Sequence, residues 1–98
     1  MGSIKLDGGY SLVVEAETKR FRLIILDDNA ELVCHKVTVS ELNQFLQQTD
    51  THLFKGRLQL HKTGDYVAII MKGEVIGSIP ESEFQILISS QNMLASSH

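Results

Sequence analysis

The stretch ELVCHKVTVSELNQFL (Glu31–Leu46) runs from a β-rich segment straight into a helix, and its reading decides the fold. Thr38-Val39-Ser40-Glu41 has the form of a capping box: the Thr38 hydroxyl can accept from the Glu41 amide, and the Glu41 side chain can reach back. Behind it, Leu42, Phe45 and Leu46 fall at i, i+3 and i+4, one face of a helix. A second stretch, GEVIGSIPESEFQILI (Gly73–Ile88), repeats the plan 42 residues later. Val33/Val75, Ser40/Ser82 and Glu41/Glu83 are identical. Cys34/Ile76, Val37/Ile79, Leu42/Phe84, Phe45/Leu87 and Leu46/Ile88 are alike in kind. The shared order of strand, cap and helix points to a duplicated unit.

Working outward, Tyr10–Glu17, Arg20–Asp27 and Glu31–Val37 are rich in Val, Ile, Leu and Phe and read as strands separated by polar turns. Gln47-Gln48-Thr49-Asp50 ends the first helix. In the second half Arg57–Lys62, Tyr66–Lys72 and Glu74–Ile79 read as strands. Thr63-Gly64 and Lys72-Gly73 suit tight hairpins, since glycine takes positive φ without penalty. Pro80 suits a first helical turn, where its missing N–H costs nothing. Phe84, Leu87, Ile88 and Leu94 continue a helical stripe. The ends, Met1 to Gly9 and Ser89 to His98, are polar and expected to be loose. The expected fold is α+β: a duplicated β-β-β-α unit whose antiparallel sheets carry both helices on their apolar face. It forms a single domain over 1–98, with halves at 10–49 and 56–94.

Composition agrees with one ordinary domain. The chain has 98 residues, 43% of them hydrophobic, and a formal charge of −3. Units of about 40 residues are too short to be stable alone, so the halves must share a core. One cysteine excludes a disulfide framework and a four-cysteine zinc site. No apolar run approaches the roughly 20 residues that cross a bilayer, so no membrane partner is expected. The start, Met1-Gly2-Ser3-Ile4-Lys5-Leu6-Asp7, has no apolar signal core, and a cytoplasmic location is expected. Charge is evenly spread: residues 1–49 hold five basic and seven acidic residues, and residues 50–98 hold four and five. Neither half forms a basic arm, so phosphate attraction alone is not expected to dominate.

Register tests the strands. A hairpin turning at Thr18-Lys19 sets Glu17 opposite Arg20 and Glu15 opposite Arg22; a four-residue loop keeps the same register. Ala16/Phe21, Val14/Leu23 and Leu12/Ile25 then share an apolar face. Continuing through Asp28-Asn29 sets Leu32 beside Ile25 and Cys34 beside Leu23. The opposite face would carry Val13, Ile24 and Val33 in one row and Glu15, Arg22 and His35 in another. In the second half, a turn at Thr63-Gly64 pairs Leu60/Val67 and Leu58/Ile69 inside, with Lys62/Asp65, His61/Tyr66 and Gln59/Ala68 outside. The outer row Val13, Ile24, Val33 calls for cover: the other half, or a second copy of the chain.

Chemistry-bearing residues are few. Cys34 and His35 are adjacent, so on a strand they point to opposite faces and cannot form a dyad. Cys34 is expected in the core as a structural thiol. His52 falls between the halves, His98 is terminal, and His35 and His61 are expected outward. None has a ligand spacing, so no metal is expected. Asp27-Asp28-Asn29-Ala30-Glu31 lacks the spacing and glycine of a calcium loop and reads as a turn. Glu41, Glu81 and Glu83 fall in first helical turns, where they complement the helix dipole. No nucleophile elbow or phosphate loop is present, so no catalytic residue, no cofactor and no enzyme are expected.

The remaining candidate is the outward strand face. Arg22, His35, Arg57, His61 and Tyr66 are its expected partner-binding residues. Basic side chains beside rings are what single-stranded nucleic-acid binders use, charge for the backbone and rings for stacking. In element order over residues 10–88, and in KRFRL (Lys19–Leu23), the chain resembles the PUR and Whirly families. That resemblance implies curved antiparallel sheets, each followed by a helix, arranged as two repeats or a dimer, with single-stranded nucleic acid as partner. Those families generally use four strands per unit. Three are read here, with Ile4–Leu6 a fourth in the first half only. The resemblance assigns no binding residue. The expected function is thus a small non-enzymatic binding module, contacting single-stranded nucleic acid through its sheet. The alternative is a protein-interaction or homodimerising module using Val13, Ile24 and Val33.

Overall fold

A computed structural model describes the backbone of residues 2–96 and the side chains of residues 2–90. Leu94's side chain and His98 lie outside these described residues. The chain forms β1 (Gly2–Lys5), a short 3-10 turn (Asp7–Gly9), β2 (Tyr10–Glu17), β3 (Arg20–Asp27), β4 (Ala30–Thr38) and α1 (Val39–Gln47). The plan then repeats as β5 (Asp50–Leu53), β6 (Leu58–Thr63), β7 (Tyr66–Met71), β8 (Glu74–Pro80) and α2 (Glu81–Ser96). Each half is a four-stranded antiparallel meander in sequential order, followed by a helix. The fold is α+β and duplicated, as its sequence pattern predicts, with one more strand per unit.

Both added strands are short edge strands. β1 overlaps the fourth strand read at Ile4–Leu6 but begins at Gly2, in a segment otherwise expected to be loose, and β5 forms where a loop between the halves is expected. A four-residue strand such as Asp50–Leu53 has too little alternation to declare itself. The polar Ser89–His98 stretch is likewise not all loose, because α2 runs on to Ser96. Pro80 closes β8 opposite Tyr66 rather than entering the first helical turn.

The first hairpin has the expected register. Glu17 pairs with Arg20, Glu15 with Arg22, Val14 with Leu23 and Leu12 with Ile25, around a two-residue turn in which Lys19 sits at φ 66°. Thr38 caps α1 as expected: its Oγ1 accepts from the Glu41 amide at 3.1 Å, and Glu41 Oε1 accepts from the Thr38 amide at 3.3 Å.

β4 departs from expectation. Asp28 and Asn29 make a tight turn at φ 50° and 75°, and Leu26 pairs with Glu31. A bulge then passes over Leu32, so Ile25 meets Val33, Ile24 meets Cys34 and Leu23 meets His35. One extra residue exchanges the two faces of everything after it. The exchange sends Val33 and Val37 inward and leaves Leu32 exposed. It also moves Cys34 outward, half-buried and outside the core.

The core is one cluster built by both halves. Leu12, Val14, Phe21, Leu23 and Ile25 of the first sheet join Leu58, Leu60, Val67 and Ile69 of the second, with Phe45 of α1 and Phe84 of α2. Each helix touches both sheets: α1 packs on β4 and β5, and α2 on β1 and β2 as well as β7 and β8. The halves also meet at Gly77, where an added Cβ would lie 2.7 Å from Leu6 Cδ2 and 3.0 Å from its Cβ.

Lys62 is the second departure. The β6–β7 turn is Gly64-Asp65, with Thr63 opposite Tyr66, and Lys62 points inward, 4% exposed. Its Nζ donates to the carbonyls of Leu46 (2.5 Å) and Gln48 (2.7 Å) and pairs with Glu81 Oε1 at 3.2 Å. Three acceptors match the three donors of an ammonium. Nearby, Gly64 N–H donates to Thr49 O at 2.9 Å and Glu81 N–H to Asp65 O at 2.7 Å. The end of α1, the β6–β7 turn and the start of α2 are thereby tied together. Among the described residues, no buried side-chain nitrogen or oxygen lacks a partner.

Lys62→Met keeps the aliphatic stem and removes the ammonium. We expect it to destabilise the fold by about 2–4 kcal/mol, because the carbonyls and Glu81 lose a shared donor. Urea unfolding followed by far-ultraviolet circular dichroism measures it. A midpoint unchanged from wild type would show that the clasp carries no net stability.

Candidate nucleic-acid interface

The two outer sheet faces differ in chemistry. On the first, Val13 and Ile24 pair across β2 and β3, with Cys34 completing the row in place of Val33. Val13 and Ile24 are 6% and 5% exposed, so the chain itself covers most of them. Beside them Arg22 Nη1 pairs with Glu15 Oε1 at 2.7 Å, and its Nε lies 4.0 Å from Glu17. Glu17 also takes Lys36 at 3.7 Å. Arg22 is held even more firmly protonated than an ordinary guanidinium, first by the neighbouring Cys34 sulfur and then by Glu15 and Glu17.

The second face carries rings. His52 on β5 sits opposite His61 on β6, and their rings stack with centroids 4.0 Å apart and planes 7° apart. His61 Nε2 lies 2.8 Å from Asp50 Oδ1, a distance at which a protonated Nε2 donates to the carboxylate. The same row continues through Ala68 on β7 to Ser78 on β8, so small residues follow the rings. Tyr66 stands in the next row, 54% exposed, between Thr63 and Pro80. On the other side of the row, Ile70 faces Val75, which is 63% exposed.

The expected partner-binding residues separate. His61 and Tyr66 share the second face. Arg57, just before β6, is exposed at its far end, where the Lys72 amide donates to the Arg57 carbonyl at 2.9 Å. Four residues of strand place Arg57 roughly 13 Å from His61. Arg22 lies on the other sheet within its ion pairs. His35 is turned inward by the bulge, and its ring packs 4.8 Å from that of Phe54. His52, expected in a loop, joins the site. The signal for it is parity: once Asp50–Leu53 pairs with β6, His52 must face His61.

Among the described residues, no group of three His, Cys, Asp or Glu is placed to hold a metal ion, and no helix is long and apolar enough to cross a membrane. No protein-family model, curated protein or solved structure matches this chain.

The histidine stack and the Asp50 contact tie β5 to β6 on the outer face, as Leu53 opposite Leu60 does on the inner one. Cross-strand pairs contribute a few tenths to about 1 kcal/mol. We therefore expect His61→Ala to speed amide hydrogen exchange at Asp50–Leu53 severalfold, with little change at β7. Equal acceleration throughout the second sheet would mean that the pair supports the whole sheet rather than its edge.

Proposed function

We propose that the protein is a cytoplasmic, non-enzymatic binding module that lays single-stranded nucleic acid over the outer face of its second sheet. The observation that carries this reading is the line of rings, His52 on His61 with Tyr66 exposed beside them, on an open four-stranded sheet. Bases splayed from a single strand stack on such rings, and stacking tolerates any sequence. Arg57 and Lys72 supply positive charge at one end for the backbone. Four strands and a helix, twice over, is also the unit that the PUR and Whirly families generally use, which supports the same reading. A protein-interaction module on Val13, Ile24 and Val33 is the weaker reading, because Val33 faces the core and the other two are nearly covered.

Labelled single-stranded oligonucleotides test the proposal at low ionic strength, where phosphate-driven attraction is greatest. Tyr66→Ala should weaken binding by about 1–3 kcal/mol, a factor of roughly 5 to 150, while leaving the circular dichroism spectrum intact. Failure of the wild-type protein to bind any such oligonucleotide at 50 mM salt would refute the reading.

A further inference from the structure

Register-matched positions on the two outer faces compare the halves directly. On the first sheet Glu15, Glu17, Arg20, Arg22 and Lys36 occupy the places that His61, Thr63, Tyr66, Ala68 and Ser78 occupy on the second. Five charged side chains correspond to a ring, a hydroxyl, a ring, a methyl and a hydroxyl. On the first face, Glu15, Glu17, Arg22 and Lys36 are joined to one another by ion pairs. A phosphate or base arriving there would have to displace those pairs, and Arg20, exposed and outside them, stands opposite the Glu17 that Arg22 and Lys36 already share. On the second face no ion pair ties the rows to one another beyond β6: His61 meets Asp50 at 2.8 Å, and the Thr63 hydroxyl lies 3.3 Å from His61 Nε2. Its cations, Arg57 and Lys72, stand together at one end, beside Glu74 in the same turn region.

We infer that the duplicated halves have divided the work. The second sheet carries the one strand-binding face per chain, holding bases by stacking and phosphates only at its Arg57–Lys72 end, while the first sheet is closed by its own ion pairs. This inference rests on the reading proposed above. It sets two numbers. One strand binds per chain. The salt dependence is shallow, because single-strand affinity falls as salt to the power of about 0.7 for each phosphate neutralised. Two cations give about a sevenfold loss of affinity between 50 and 200 mM salt. If Arg20, Arg22 and Lys36 bound as well, five cations would give a loss of more than about a hundredfold.

A labelled ten-nucleotide oligothymidylate, followed by fluorescence anisotropy and titration calorimetry, decides the matter. We expect one strand per chain and a loss near sevenfold. Arg57→Gln should reduce that loss to about threefold. The double variant Arg20→Gln, Lys36→Gln should bind as wild type does. Two strands per chain, a loss above a hundredfold, or weakened binding by the double variant would overturn the division of work and leave the reading of the second face standing. Absence of binding by wild type at 50 mM salt would overturn both.

Discussion

A single buried ammonium ties together the end of one helix, the start of the other and a strand of the second sheet, within a core that both halves already share. Lys62 extends from the middle of the second half into the interior and takes the last carbonyls of α1 and the first carboxylate of α2. The end of a helix leaves carbonyls without partners, and its dipole favours a cation there. The start of a helix favours an acid. One lysine satisfies both ends at once and anchors them to β6. The price of desolvating its charge is met by three acceptors rather than one. The shared core, to which each half contributes a sheet face and a helix, depends on the helices arriving in this arrangement.

How much of this is legible in the sequence depends on the local signal. The first hairpin is legible residue by residue, because alternation and two opposite-charge pairs agree on one register. The cap of α1 is legible because its hydrogen bonds are made within four residues. Lys62 shows where parity and chemistry disagree. Its spacing from Leu58 and Leu60 puts it inside, while its charge argues for the surface. The acceptors that resolve the conflict come from residues fourteen and sixteen positions away and from Glu81. The bulge at Leu32 is illegible for a related reason: only the packing of Val33 and Val37 against the core selects it. That one residue decides the fates of Cys34 and His35, and with them part of the candidate site. The interface was half visible, in His61, Tyr66 and Arg57. Its other ring, His52, depends on an edge strand of four residues.

Duplication gives two scaffolds of the same shape, and the scaffolds then diverge on the surface where packing does not constrain them. Inner positions keep their character: Leu12, Val14, Leu23 and Ile25 face the core in one half as Leu58, Leu60, Ile69 and Met71 do in the other. Outer positions change from charges to rings and hydroxyls. The net charge of the chain hides this, since charges that pair with each other cancel in the sum while still occupying a face.

The clasp at Lys62 also bears on reactivity. An amine acts as a nucleophile only through a free lone pair, and this one is enclosed and fully engaged as a donor. Of the six lysines in the chain, Lys62 is the one whose described side chain is buried. An acylating reagent would reach the others in the folded protein and find Lys62 only when α1, β6 and α2 part. Its modification would thus follow the opening of the joint between the halves, and its rate would time that opening from a single atom.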